Sequence, residues 1–237
     1  LKTVECNSSQ GSNPCPTAIS FLPLSFVRLS SELLPTTQKN QSIKMHLNVD
    51  NYQYFLIIDL EATCCDKQSI ARQDMETIEI GAVMVEAEEL TTVDEFTLFI
   101  KPIKHPKLTN FCTELTSITQ SDIDTAPGFP DAVKQFKQWL YQYDSFLFCS
   151  WGDYDKGQLE RDCQLHNIPY PIGSEHLNIK KMFSTSQNLK KKFGMARALT
   201  LAGLPLHGAH HRGIDDAKNM AQLMPYILGR KKISEKI

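Results

Sequence analysis

Asp59 and Glu61 stand one residue apart at the end of YFLIIDLEAT (Tyr54 to Thr63), a stretch that is otherwise almost wholly apolar. Alternate residues of a strand point to one face, so the two carboxylates project together while Leu60 turns back into the core. Two such charges repel each other unless something positive lies between them, and a hard divalent cation takes oxygen ligands of this kind. Taken alone, the pair also suits a solvated strand end. A second apolar stretch, FCSWGDYDKGQL, runs into Asp153 and Asp155, which share a face if the chain stays extended. Either could join the first pair, and Asp155 also suits the cap of the helix that follows. The third group is HHRGIDDAKNMAQL, in which Asp215 and Asp216 open a helix and each has a histidine five residues ahead, His210 or His211. Acids at a helix start complement its dipole, and a histidine in the loop before it can place its imidazole beside water on a metal held by the acid. Four acids and a histidine from three segments, each at the end or start of an apolar element, make joint accident improbable and suit a site that holds divalent cations.

Such residues need rigid elements to converge. YFLIID is a continuous apolar run of strand length, and Glu76 to Ala87 and Asp94 to Pro102 mix alternation with β-branched and aromatic residues, so three neighbouring strands come first. Asp131 to Tyr143 carries Val133, Phe136 and Leu140 at helical spacing. Ser145 to Trp151 reads as a buried strand, Asp155 to His166 as a helix stopping before Pro169, and HLNIKKMF as a short strand. A helix closed by Gly203 and a last one from Asp215 to Leu228 complete the chain. Three strands followed by alternating strand and helix describe an α/β domain with a mixed central sheet.

The 237 residues, 41% hydrophobic and 22% charged, fit one globular catalytic domain plus an extra segment. The net charge of −2 hides an asymmetry: eleven acids against Lys67 and Arg72 from Asp59 to Glu95, but seven Lys or Arg and no acid from His176 to Ile214. An acidic part beside a basic part suits a site that holds cations and meets a polyanion. Seven cysteines without a C-x-x-C spacing fit a reducing, intracellular compartment better than a disulfide framework. Residues 1–50, rich in Ser, Asn, Thr, Gln and Pro, read as a leader that is disordered or a non-native extension, with Met45 as a candidate start and residues 51–237 as the domain. Ala18 to Val27, broken by Pro23, is a poor signal peptide, and no run reaches the ~20 apolar residues of a membrane span. No P-loop, dinucleotide motif or Ser-His-Asp pattern stands out.

The chain resembles the DEDDh 3′→5′ exonucleases of the ribonuclease H-like superfamily. IDLEAT looks like their first motif, WGDYDKGQL their second and HRGIDDAKNMA their third; Phe99 to Leu140 further resembles the subgroup of histone-mRNA and small-interfering-RNA exoribonucleases. The resemblance covers about Tyr52 to Tyr226. It implies a three-layer α/β fold with a five-stranded mixed sheet flanked by helices. It also implies two Mg²⁺ ions, replaceable by Mn²⁺, on Asp59, Glu61, Asp155 and Asp216, with Glu61 and His211 catalytic and His211 as general base. The reaction implied is release of nucleoside 5′-monophosphates from an RNA 3′ end, single-stranded or with a short overhang. By the same resemblance Ala62 and Thr63 approach the terminal nucleotide, Leu115, Thr116 and Trp151 flank the last bases, and His211 is also substrate-binding. Lys180, Lys181, Lys190, Lys191, Lys192 and Arg197 are candidates to track the phosphates, which predicts a salt-dependent affinity. A DNA exonuclease of the same fold and a catalytically silent RNA-binding module are the competing readings. The implied setting is the cytoplasm, or the nucleus of a eukaryotic cell.

Overall fold

The computed structural model describes residues 48–66 and 69–234. The expected leader, with Met45, lies outside the described residues except for its end, where Val49–Asn51 forms a 3-10 turn.

The apolar run becomes strand β1, Tyr54–Ala62, and it is the middle of the sheet because both of its faces can be buried. Phe55 and Ile57 enter one core and Leu56, Ile58 and Leu60 the other. Ile57 and Ile58 are both 0% exposed, and burying each such side chain contributes about 1.5–3 kcal/mol. On one side β1 pairs antiparallel with β2, Thr77–Glu86, which pairs antiparallel with β3, Thr92–Phe99. On the other it pairs parallel with β4, Phe146–Ser150, and β4 with β5, His176–Asn178. The order β3-β2-β1-β4-β5 is the mixed five-stranded sheet expected from the sequence.

Helices cover both faces. Against one lie α3, Phe129–Leu140, and α4, Tyr154–Leu165, burying Phe136, Leu140, Leu159 and Cys163. Against the other lie α5, Ile179–Ser186, α6, Met195–Ala202, and α7, Gly213–Ile227, burying Phe183, Leu199, Met220 and Met224. Gly203 ends α6 at φ 70°, as its type allows. Two short helices precede α3: α1, Asn110–Thr116, and α2, Gln120–Asp124, seated by Cys112, Ile118 and Ile123 on Ile78 of β2.

Two expectations are corrected. HLNIKKMF is a strand only through Asn178, whose side chain accepts from the Lys181 N–H and starts α5 there. The chain at Asp153 is not extended: with φ −115° and ψ 4° Asp153 is the N-cap residue of α4, and Asp155 lies inside the first turn. Among the described residues no helix is long and apolar enough to cross a membrane.

Candidate active site

Strand β1 keeps its antiparallel partner to Ala62, but its parallel pairing with β4 ends at Ile57 and Cys149. Beyond that point its N–H groups on the β4 side need other acceptors. Leu60 N–H finds the Oδ1 of Asp155 at 3.1 Å, which draws the first turn of α4 against the end of β1. Asp155 is buried as a result, whereas the side chain of Asp153 is 80% exposed. Of the two acids left open by the sequence, Asp155 is the one placed against the end of β1.

From the other face comes α7. A Cβ on Gly213 would lie 2.9 Å from the Asp59 carbonyl oxygen, and one on Gly81 would overlap the Gly213 backbone. Two glycines thus let the start of α7 rest directly on β1 and β2. Asp216, in its first turn, reaches Asp59 and Glu61, with one ligand-capable oxygen from each of the three carboxylates within 4.8 Å of one another. Asp215 is used elsewhere, accepting the Ala209 N–H at 2.9 Å. His210 and His211, just ahead, stack with ring centroids 4.0 Å apart. The Nδ1 of His210 lies 2.9 Å from Asp216, and His211, at φ 66°, donates its backbone N–H to the same carboxylate at 3.1 Å.

These groups line a cleft of about 360 Å³ together with Leu60, Trp151, Tyr154 and Met195. Among the described residues, no Lys or Arg lines it. Burial, then the charges of Asp155, Glu61 and Asp216, holds the Asp59 carboxyl well above the usual range. Burial, with Asp216, Glu79 and Asp155, pushes Glu61 up to about 9. Burial raises Asp155 to about 6 against the pull of the Leu60 N–H, and raises Asp216 against His210. His211 is shifted down, by burial and then by His210. Hard oxygen donors that repel one another are a donor set that fits Mg²⁺ or Mn²⁺. The two histidines with Asp216 form a second group whose ligand atoms lie within 4.8 Å, softer in character.

Asp59, Glu61, Asp155, Asp216, His211 and Trp151 are thus brought together. Trp151 is tethered through its indole N–H to the Phe193 carbonyl at 3.1 Å. Ala62, Thr63, Leu115 and Thr116 lie outside the residues lining the cleft. Thr63 accepts the Glu76 N–H at its hydroxyl and donates its own N–H to the Glu76 carbonyl, so it is used to hold the exit of β1. Thr116, 0% exposed, donates its hydroxyl to the Cys112 carbonyl in α1 and accepts the N–H of Ile118, just past the helix end. Sequence reasoning missed Tyr154, whose ring lies under the Arg72 guanidinium at 5.1 Å, and the buried Glu79. Tyr154 stands directly before Asp155, which was the available signal.

The exonuclease family model RNase_T matches residues 56–224. ERI1 exoribonuclease 3 of Homo sapiens is 33% identical over 181 residues, covering 73% of this chain and 53% of the relative, so the chain spans about half the length of that protein. The 3′-5′ exonuclease Snipper of Drosophila melanogaster is 28% identical over 211 residues, covering 81% of this chain and 75% of the relative. The solved nuclease domain of 3′hExo, a DEDDh family member bound to rAMP, is 28% identical with a TM-score of 0.68, covering 80% of this chain and 100% of that one. The motifs, the mixed sheet and these matches agree: the chain belongs to the RNase_T exonuclease family and carries the ribonuclease H-like fold of its DEDDh members.

Proposed function

We propose that this chain is a 3′→5′ exoribonuclease that removes nucleoside 5′-monophosphates from RNA 3′ ends, its domain spanning residues 51–237 after a leader. The carrying observation is the convergence of Asp59, Glu61, Asp155 and Asp216 from β1, α4 and α7 in one cleft, with their carboxyls raised and, among the described residues, no cationic side chain lining it. These four are the ligands of two Mg²⁺ ions, for which Mn²⁺ substitutes. When bound, the ions stabilise the attacking and leaving oxygens of an in-line displacement.

His211 is the general base. The Nδ1 of His210 is engaged by Asp216, while His211 lines the cleft with its basicity lowered, so its ring is neutral near pH 7 and accepts a proton from water. Trp151 and Tyr154 offer aromatic faces on which a terminal base can stack, worth ~1–3 kcal/mol per base. Ala62 and Thr63 approach the terminal nucleotide at the exit of β1, and Leu115 and Thr116 flank the last bases. RNA, single-stranded or with a short overhang, is favoured as substrate because relatives are named exoribonucleases and a solved neighbour is bound to rAMP. The proposed place of action is the cytoplasm, or the nucleus of a eukaryotic cell.

The test is to incubate the full-length protein with 5′-labelled RNA and a matched DNA, with Mg²⁺ or Mn²⁺ and an EDTA control. Stepwise shortening of the RNA from its 3′ end, with 5′-mononucleotides released and EDTA stopping the reaction, is the expected result. Shortening that persists in EDTA would overturn the metal reading, and an inert mixture would leave a binding module as the better account. Degradation of DNA alone would move the substrate.

A further inference from the structure

Glu79 of β2 lies directly across from Glu61 of β1 and is 0% exposed, yet it does not line the cleft. A buried carboxylate is costly unless its oxygens are paired. Here both are. Oε2 accepts the Gly213 N–H at 3.0 Å and Arg212 Nε at 3.2 Å; Oε1 accepts Arg212 Nη2 at 3.3 Å and the Thr97 hydroxyl at 3.2 Å. Arg212 is the N-cap residue of α7, and no side chain of its own caps that helix. Its guanidinium also lies 5.1 Å from the centroid of the Phe99 ring. The missing cap is therefore delivered from the sheet: Glu79 takes an orphan N–H of the first turn and places negative charge at the positive end of the helix.

Packing alone does not call for this arrangement. An apolar pair of similar volume at a buried ion-pair position is often as stable or more so, and the Glu79 charge lies close enough to raise the carboxyls of both Asp59 and Glu61. What the carboxylate supplies and an apolar residue would not is a directional hold on Gly213, three residues before Asp216.

We propose that Glu79 is a positioning residue: it latches the first turn of α7 to β2 and so sets the distance of Asp216 from Asp59 and Glu61. This rests on the exonuclease reading above. The latch makes Glu79 a determinant of cation affinity and turnover without contact with substrate.

The test compares wild type and E79Q as full-length proteins. Mn²⁺ binding is measured by calorimetry with the metal alone, and kcat and KM are measured on an RNA oligonucleotide at saturating Mn²⁺. E79Q is expected to weaken Mn²⁺ binding about tenfold and to lower kcat about tenfold or more, the range for losing a residue that orients a ligand, with KM little changed. A folded E79Q with a lower melting temperature but Mn²⁺ affinity and kcat like wild type would reduce Glu79 to a fold contact and overturn the proposal. If E79Q does not fold, R212Q, which removes half of the latch, decides by the same titration: weakened Mn²⁺ binding supports the latch and unchanged binding overturns it. Wild-type protein that neither binds Mn²⁺ nor releases nucleotides would sink the exonuclease reading and the latch with it. Normal wild type beside a normal E79Q would sink the latch alone.

Discussion

As a proposed metal ligand, Asp59 would serve chemistry at the expense of the metal-free fold. It stands where burial and four neighbouring acids all oppose its charge, so removing it relieves repulsion in the protein without metal. We expect D59A to lose detectable exonuclease activity while its melting temperature in EDTA stays at or above that of wild type. H211A should behave differently: its rate falls roughly 10²-fold for loss of a general base, and its Mn²⁺ affinity by calorimetry stays close to wild type. A D59A protein that turns over normally would refute the ligand assignment, and an H211A protein that loses metal would make His211 a ligand. At this scale the sequence was legible in kind but not in choice. Asp153 and Asp155, or Asp215 and Asp216, differ by nothing their types reveal. Backbone geometry separates them: the turn at Asp153 sends its side chain to solvent, and Asp215 is taken by the Ala209 N–H.

The elements hold the site through one close approach of two backbones, that of Gly81 and Gly213. A methyl at Gly81 would overlap the Gly213 carbonyl carbon and the Ile214 nitrogen, both backbone atoms that no rotamer change can move. G81A must push α7 away from β2 and is expected to destabilise the protein by about 3 kcal/mol, the upper range for overpacking, read from urea unfolding in EDTA. A shift under about 0.5 kcal/mol, the level of an ordinary surface change, would mean that α7 is not pinned there. A glycine inside the strand pattern IEIGAVMVE was a visible sign of close packing. Its partner was not visible, because Gly213 lies far away in the chain and only the fold pairs them. The long strands and helices were readable because their apolar residues repeat with a clear period. The seven-residue α1 and five-residue α2 were missed because they are too short to show one, and rest on caps from Thr109 and Thr119.

For the whole molecule, the charge asymmetry of the sequence becomes a layout. The acidic stretch supplies Asp59 and Glu61 on β1, and the acid-free stretch supplies Trp151's tether at Phe193, the cleft wall at Gly194 and Met195, and the two histidines. Lys190, Lys191 and Lys192 are exposed and run directly into that wall, with Lys191 Nζ 5.2 Å from the centroid of the Phe193 ring. Under the proposed function the cations would offset the charge of the cleft's acids at the reacting phosphate, and the phosphates further along an RNA strand would be met at its margin. The overall charge of −2 does not forbid this, because at about 0.1 M salt charges more than ~10 Å apart are largely screened and the local lysines decide. If these three each neutralise one phosphate, the slope of log affinity for single-stranded RNA against log salt gains roughly −0.7 per contact, or about −2 in all. We therefore expect the KM of wild type to climb as KCl rises. A variant with all three lysines changed to glutamine should show a higher KM at low salt and a slope shallower by about 2. Its kcat should hold, because none of the three lines the cleft that contains the carboxylates. A triple variant whose KM follows salt as wild type does would assign the lysines to a solvated face and leave the phosphates to other cations.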